Sequence, residues 1–299
     1  MIGLDYASVD GNTPPDWRAA KKAGVGFVIQ RASFSLYNKY KKFYSIVPDP
    51  HIERDWDSIK KAKLIRGAYM FPEPRALASP EDQVATFAAS VEEAGGLKPG
   101  DFPPVLDIEY PDGLGRGLSE KAKAKLRRVA LEWMIEAANL LKDTYEVWPM
   151  LYTSARVWDG EDNDSLNADT MLDIAGELVD CPLWLARYPA KVDPLVPPDG
   201  DPPVPTMWGS GNYWIWQYYG DAKKVPGFSS TVDMNKFNFM RIGATGDRVK
   251  WVQKRIGVKV DGGFGAKTEA ALCAFQKRNG LTVDGVVGPG TFAHLAWVK

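Results

Sequence analysis

Pro104-Val105-Leu106-Asp107-Ile108-Glu109-Tyr110 is the stretch that decides the architecture. It is an apolar, strand-forming run that ends in two carboxylates, two positions apart. Successive side chains of a strand alternate between faces, so Asp107 and Glu109 project to the same side. Two residues of strand separate their Cα atoms by roughly 6–7 Å. Carboxylates that close, at the end of a buried strand, repel each other and push one pKa upward. One then holds a proton to donate while its neighbour carries charge. Acid cleavage of a glycosidic bond needs that division of labour.

Similar short apolar runs recur on both sides of this stretch: 2–6, 26–30, 64–71, 147–153, 182–188, 213–218 and 232–235. Helix-compatible segments separate the early ones: 16–23, 52–63, 80–94 and 119–141. The third opens on Glu81 and Asp82, which suit a helix N-terminus. The fourth carries Leu126, Ala130, Trp133 or Met134, Ala137 and Leu141 at three- and four-residue steps. Strand–helix alternation over about eight strands predicts an α/β fold with a parallel barrel. The helical intervals weaken late in the chain, so its last part is expected to be irregular. Residues 193–205 hold six Pro, three Asp and one Gly, which exclude helix and central strand and predict a long surface loop.

Composition narrows the function. The chain has 299 residues, 45% hydrophobic, with a formal net charge of −1. That gives no support for general nucleic-acid binding. The only histidines are His51 and His294, too few for a zinc hydrolase, and both are expected to be structural or on the surface. No metal or other cofactor is expected. Cys181 and Cys273 lie far apart without CxxC spacing and are expected to be free thiols. Eleven Trp fit a well-filled core, with a few left to line a sugar groove. The start lacks a signal-peptide pattern and no run is apolar enough to insert in a membrane. The expectation is a soluble protein, made in the cytoplasm without a standard signal peptide.

Residues 241–299 change character. The pattern D-G-x-x-G-x-x-T occurs at Asp261–Thr268 and again at Asp284–Thr291. Val249, Val252 and Ile256 lie at helical steps, as do Ala271 and Phe275. The expectation is two domains: a barrel over 1–240 and a small all-α module over 241–299.

These segments, in this order and spacing, resemble glycoside hydrolase family 25, the muramidases. The residues that carry the resemblance are Gly3-Leu4-Asp5-Tyr6, Gly67-Ala68-Tyr69-Met70-Phe71, Leu106-Asp107-Ile108-Glu109 and Leu151-Tyr152-Thr153-Ser154. Leu183-Trp184-Leu185-Ala186-Arg187-Tyr188, Trp216-Gln217-Tyr218 and Val232-Asp233-Met234-Asn235 extend it. The C-terminal segment, with Gln253, Phe275, Gln276 and the doubled motif, is similar to the peptidoglycan-binding module of wall hydrolases. The combination resembles a bacteriophage endolysin. The resemblance implies an irregular TIM-like barrel of five βα units followed by further strands, acting as a monomer on bacterial peptidoglycan. It implies cleavage of the β-1,4 bond between N-acetylmuramic acid and N-acetylglucosamine. Glu109 would be the general acid. Asp107 would hold charge beside it, and Asp5 and Asp233 would converge on the same mouth. Tyr69 and Tyr152 would bond the reacting sugar, while Trp184, Trp216 and Gln217 would line its groove. Attack by the substrate's own acetamido oxygen is the favoured route. Two alternatives stand beside this: a non-catalytic wall-binding protein and a chitinase-like glycosidase. The chain departs from the family pattern at Gln30-Arg31-Ala32-Ser33-Phe34, where a glutamate is usual, and at Met70, where a histidine is usual.

Overall fold

The computed structural model describes residues 1–8, 13–38, 43–74, 79–109, 118–160 and 165–299. Tyr110 lies outside them. The described strands form one sheet: β1 (Ile2–Tyr6), β2 (Val25–Asn38), β3 (Phe43–Pro48), β4 (Ile65–Phe71), β5 (Val105–Asp107), β6 (Met150–Thr153), β7 (Leu183–Ala186), β8 (Ile215–Ala222) and β9 (Val232–Phe237). Their order is β1-β9-β8-β7-β6-β5-β4-β2-β3, and β1 also pairs with β2. All of them except β3 therefore close into a barrel, and β3 hangs on β2 as an antiparallel hairpin partner. The barrel strands run parallel, except that β9 is antiparallel to both its neighbours, β8 and β1.

Helices α1 (Trp17–Lys22), α2 (Ile52–Lys61), α3 (Pro80–Glu93), α4 (Glu120–Tyr145) and α5 (Ala155–Asp159) complete five βα units. Only the one-turn α6 (Leu172–Ala175) and short 3-10 turns precede β7. The expected irregular α/β barrel is the observed class. Helix starts are set by side-chain caps. Asp16 accepts from the amides of Arg18 and Ala19, and Ser79 and Ser119 cap α3 and α4. On α4 the buried stripe takes Met134 rather than Trp133, together with Ala130, Ala137 and Leu141.

The sequence reading ends the second strand at Gln30. The structure carries it to Asn38 and turns it back as β3, with Ser33 opposite Pro48. The outer half of this hairpin buries neither face fully, and Leu36 is 51% exposed. Without a buried face there is no clean alternation to read.

Period-2 alternation sorts the barrel residues into two layers. Leu4, Val28, Ala68, Leu106, Leu151 and Met234 pack outward beneath the helices. Phe27, Ile29, Val105, Met150, Trp184 and Phe237 fill the interior. Gly3 makes room for this filling, because a Cβ there would come within 2.2 Å of the Phe27 ring.

The C-terminal helices are α7 (Asp247–Ile256), α8 (Ala266–Arg278) and α9 (Pro289–Leu295). Each copy of the D-G-x-x-G-x-x-T motif wraps around one buried glutamine eight residues upstream. Gln276 Nε2 donates to Asp284 Oδ1 (2.8 Å), Val286 O (3.0 Å) and Thr291 Oγ1 (3.2 Å). Its Oε1 accepts from the amides of Asp284 and Gly285. Gln253 repeats the pattern with Asp261, Gly262, Gly263 and Thr268. Gly262 and Gly285 take φ of +75° and +67°, which glycine adopts at no steric cost.

These helices cover the base of the barrel, at the N-terminal ends of the parallel strands. The Phe292 ring lies 4.5 Å from Trp214, 5.8 Å from Phe102 and 5.9 Å from Phe237. Met240 and Val287 exchange backbone hydrogen bonds, Gly100 N donates to Ala293 O, and Trp297 Nε1 donates to Asp101 O (2.9 Å). One apolar cluster therefore runs from Ile29 and Met150 inside the barrel to Leu272 and Phe292 outside it. Phe292→Ala should destabilise the chain by about 3–5 kcal/mol, the range for emptying a buried aromatic site. Urea unfolding followed by tryptophan fluorescence checks this.

Candidate active site

The parallel strands deliver their C-terminal ends, and β9 its N-terminal end, to one mouth. Asp5 on β1 stands directly opposite Asp233 on β9, and Gln217 on β8 stands opposite Asn235 on β9. Gln217 is 1% exposed and acts as the hub. Its Nε2 donates to Asp5 Oδ1 (2.8 Å) and Asp233 Oδ2 (3.3 Å). Its Oε1 accepts from the hydroxyls of Tyr152 (2.6 Å) and Tyr188 (2.5 Å). The amide can face only this way, because a carboxylate accepts and cannot donate. Asn235 Nδ2 adds a second donor to Asp5 Oδ1 (2.7 Å), and Asn235 Oδ1 accepts from Trp184 Nε1 (2.7 Å). Asp233 Oδ1 accepts from the Asp221 amide.

Asp107 ends β5 and is buried, at 7% exposure. Its Oδ1 has no hydrogen-bond partner among the described residues. Burial pushes its pKa well above the ordinary aspartate value, and the nearby charges of Glu109 and Asp5 push it further, against the pull of Arg31. Glu109 lies beyond the strand end and is exposed as a residue. Desolvation of its carboxyl also raises its pKa, while a hydrogen bond with Tyr152 pulls it down. Tyr152 has one hydroxyl proton to divide between Gln217 and Glu109. The sequence reading places the stronger upward push on Glu109 and the charge on Asp107. In the structure Asp107 is the more strongly raised, because it is the more deeply desolvated of the two.

Glu109 opens into a cavity of about 380 Å³ whose walls include Tyr152, Arg156, Arg187, Tyr188 and Pro203. Pro203 comes from the Pro-rich loop, which is pinned to the barrel. Tyr218 donates to Pro194 O (2.7 Å), Lys236 Nζ to Pro198 O (2.8 Å) and Tyr213 to Asp201 Oδ1 (2.6 Å).

The barrel thus brings together Asp5, Asp107, Glu109, Asp233, Tyr152 and Gln217. Tyr69 on β4 is half-buried, with its ring edge-on to Trp184 at 6.4 Å. Trp184 points inward but is 2% exposed and held by Asn235, so it supports the mouth from below. Trp216 is not brought to the mouth. It faces outward, 3% exposed, donates to Arg187 O (2.7 Å) and packs beside Tyr218. Tyr188 and Asn235 belong to the network, yet the sequence reading gave them no role. Asn235 carries a signal, because it is two residues from Asp233 and so shares its face. Tyr188 lies beyond the end of β7 and carries none. His51 is buried against the Tyr6 hydroxyl and is structural. Both cysteines are free. Among the described residues no group of three or more His, Cys, Asp or Glu side chains could hold a metal ion, and no helix is long and apolar enough to cross a membrane.

The closed, mostly parallel barrel carries its raised carboxyls at its C-terminal mouth. Residues 4–228 match the family model "Glycosyl hydrolases family 25", and the chain belongs to that family. Residues 245–295 match a second model, "Putative peptidoglycan binding domain". YegX of Escherichia coli strain K12, an uncharacterized protein, is 29% identical over 227 residues, 75% of this chain. The chain spans 65% of the length of that relative. Lysozyme M1 of Streptomyces globisporus is 28% identical over 242 residues, covering 79% of this chain and 67% of that protein. Among solved structures, the bacterial lysozyme from Streptomyces coelicolor superposes with a TM-score of 0.56 at 26% identity, covering 80% of this chain and 92% of that one.

The raised pKa of Asp107 has a stability consequence of fixed sign. The folded chain holds this proton to higher pH than the unfolded chain does. Stability is therefore unaffected below the unfolded value near 3.8 and is lost as pH rises through the raised folded value. Asp107→Asn removes that loss. Its melting temperature should exceed that of the parent at pH 7 by about 2–4 °C or more, and by little at pH 3.5. Calorimetry at the two pH values checks the difference.

Proposed function

We propose that this chain is a muramidase that hydrolyses the β-1,4 bond between N-acetylmuramic acid and N-acetylglucosamine in bacterial peptidoglycan. The observation that carries the reading is the pair of raised carboxyls, Asp107 and Glu109, at the mouth of a family 25 barrel. Glu109 is the solvent-facing member and lines the cavity, so it is the proton donor to the leaving oxygen. Asp107 is costly to ionise in the resting site. Positive charge developing on the sugar favours its ionised form, so its stabilisation is greatest where the transition state needs it. Asp5 and Asp233, held by Gln217 and Asn235, add fixed negative potential to the same mouth. Tyr152 and Tyr69 position the sugar, and Trp184 and Gln217 hold that wall in place.

In this reading the acetamido oxygen of the substrate attacks the anomeric carbon as the leaving oxygen takes the proton of Glu109. Water then attacks the anomeric carbon and opens the resulting ring, and its proton passes to the Glu109 carboxylate, restoring the acid. Residues 1–240 form the catalytic part, and 241–299 bind the wall. Such a pairing suits a bacteriolytic enzyme of endolysin type, because tethering raises enzyme concentration on an insoluble polymer.

Glu109→Gln should lower the release of reducing ends from purified peptidoglycan by at least about 10³-fold while leaving the circular dichroism spectrum unchanged. Mass spectrometry of the parent digest should show fragments ending in reducing N-acetylmuramic acid. Fragments ending in reducing N-acetylglucosamine, or faster turnover of chitin oligomers, would transfer the chain to another glycosidase class. Wall binding without any cleavage would leave a binding protein. The activity of the parent should fall on the alkaline side as pH rises through the raised pKa of Glu109, because the proton being donated is lost there.

A further inference from the structure

A second cavity, of about 430 Å³, lies at the opposite end of the barrel, where α7 meets the base. The barrel side supplies Trp148, Trp208 and Asp180, and α7 supplies Trp251, Lys254 and Arg255. Neither part makes this cavity alone. On α7, Arg248, Trp251 and Arg255 recur at three- and four-residue steps, so they share the face turned to the barrel.

The charges on this wall do not cancel. Lys250 is paired with Asp247 at 2.9 Å. Arg248 is 8% exposed, donates to Asn238 O, and lies over the Trp214 ring at 4.5 Å. That leaves Lys254 and Arg255 against Asp180. Arg255 stacks its guanidinium on the Trp251 indole at 3.5 Å. No described carboxylate lies within ion-pairing distance of either Lys254 or Arg255. The Nε of Arg248, the Nε of Arg255 and the Nε1 of Trp251 are buried without an acceptor among the described residues. Trp148 and Trp251 are half-buried and line the same space; Lys142 Nζ lies over one face of the Trp148 ring at 3.8 Å. A wall with surplus cations beside indole rings suits an anion attached to an apolar or sugar-like body.

We propose that this junction is a second, non-catalytic site that takes the carboxylate-bearing peptide of a peptidoglycan strand, with Lys254 and Arg255 on the carboxylates and Trp148 and Trp251 against its aliphatic and sugar parts. The proposal rests on the wall-lytic reading for its choice of ligand. It places this site and the catalytic mouth at opposite ends of one rigid barrel, so one molecule would contact two separate places on the wall.

The test uses the full chain carrying Glu109→Gln, so that glycan is bound and not cut. The probe is a purified disaccharide tetrapeptide with free carboxyls, compared with the same compound amidated and with chitotetraose. Calorimetric titration should give two sites per chain for the free-carboxyl probe. The Lys254→Ala/Arg255→Ala double variant should retain one, with at least tenfold weaker binding at the other. Amidation or 0.5 M salt should weaken the same site. The double variant in an otherwise unaltered chain should cut a short soluble glycan at the parental rate. Lys254 is exposed, so Lys254→Gln alone, with its melting temperature checked, decides the matter if the double variant is unstable. One site in the parent, equal affinity for the amidated probe, or preference for polyglycerol phosphate would overturn the proposal. Failure of the muramidase reading would register separately, as an absence of cleavage by the parent whatever the binding stoichiometry.

Discussion

Closure of the barrel sets two like charges face to face. Asp5 and Asp233 are direct cross-strand partners where β9 joins β1, and such a pair of carboxylates is destabilising by itself. The amides of Gln217 and Asn235 lie between them and donate to both sides of the seam. Everything at the mouth hangs from that arrangement. Tyr152 and Tyr188 are oriented because the Gln217 carbonyl is left to accept. Trp184 is oriented because the Asn235 carbonyl is left to accept. Joining the last strand to the first and assembling the acidic mouth are one event, so a barrel closed in another register would not have this site.

The two ends of the barrel are chemically opposite. The mouth is polar and acidic, with carboxyls that burial keeps from ionising at their ordinary pKa. The base is aromatic, with Phe102, Trp214 and Phe237 meeting the Phe292 of α9 and Phe27 packed on Phe102. Arg66 and Asp101 make a buried two-pronged ion pair beside this contact, at 2.9 and 3.1 Å, and the Asp101 carbonyl accepts from Trp297. A pair so buried needs all its hydrogen bonds to be tolerable, and here it has them. The C-terminal helices therefore complete the barrel core as well as forming a unit with its own repeated glutamine hubs. Their position relative to the mouth follows from packing, without a long connecting segment to loosen it.

Part of the site was legible in the sequence. Two-residue periodicity set Asp107 and Glu109 side by side, whereas Asp5 and Asp233 entered through the family resemblance and not through any spacing; the structure sets those two opposite each other at the seam. The same rule separates Trp184 from Trp216, but only once the register of each strand is known. One inward position on β7 and one outward position on β8 look alike in a list of aromatic residues. The β2–β3 hairpin escaped because half-exposed strands leave no alternation. The balance between the two acids also escaped. It depends on β5 stopping at Asp107, so that Glu109 emerges toward solvent while its neighbour stays within the wall.

The sequence by itself determined the alternation of strands and helices, the doubled turn motif and the identity of the paired acids, because these are local properties of spacing and side-chain chemistry. Tertiary structure alone decided which glutamine and asparagine would hold the acids, which acid would be more deeply desolvated, and that the C-terminal helices would seal the barrel base. Those outcomes depend on distances between residues more than two hundred positions apart in the chain, such as Asp5 and Asn235. No local pattern encodes them; they exist only once the sheet has closed.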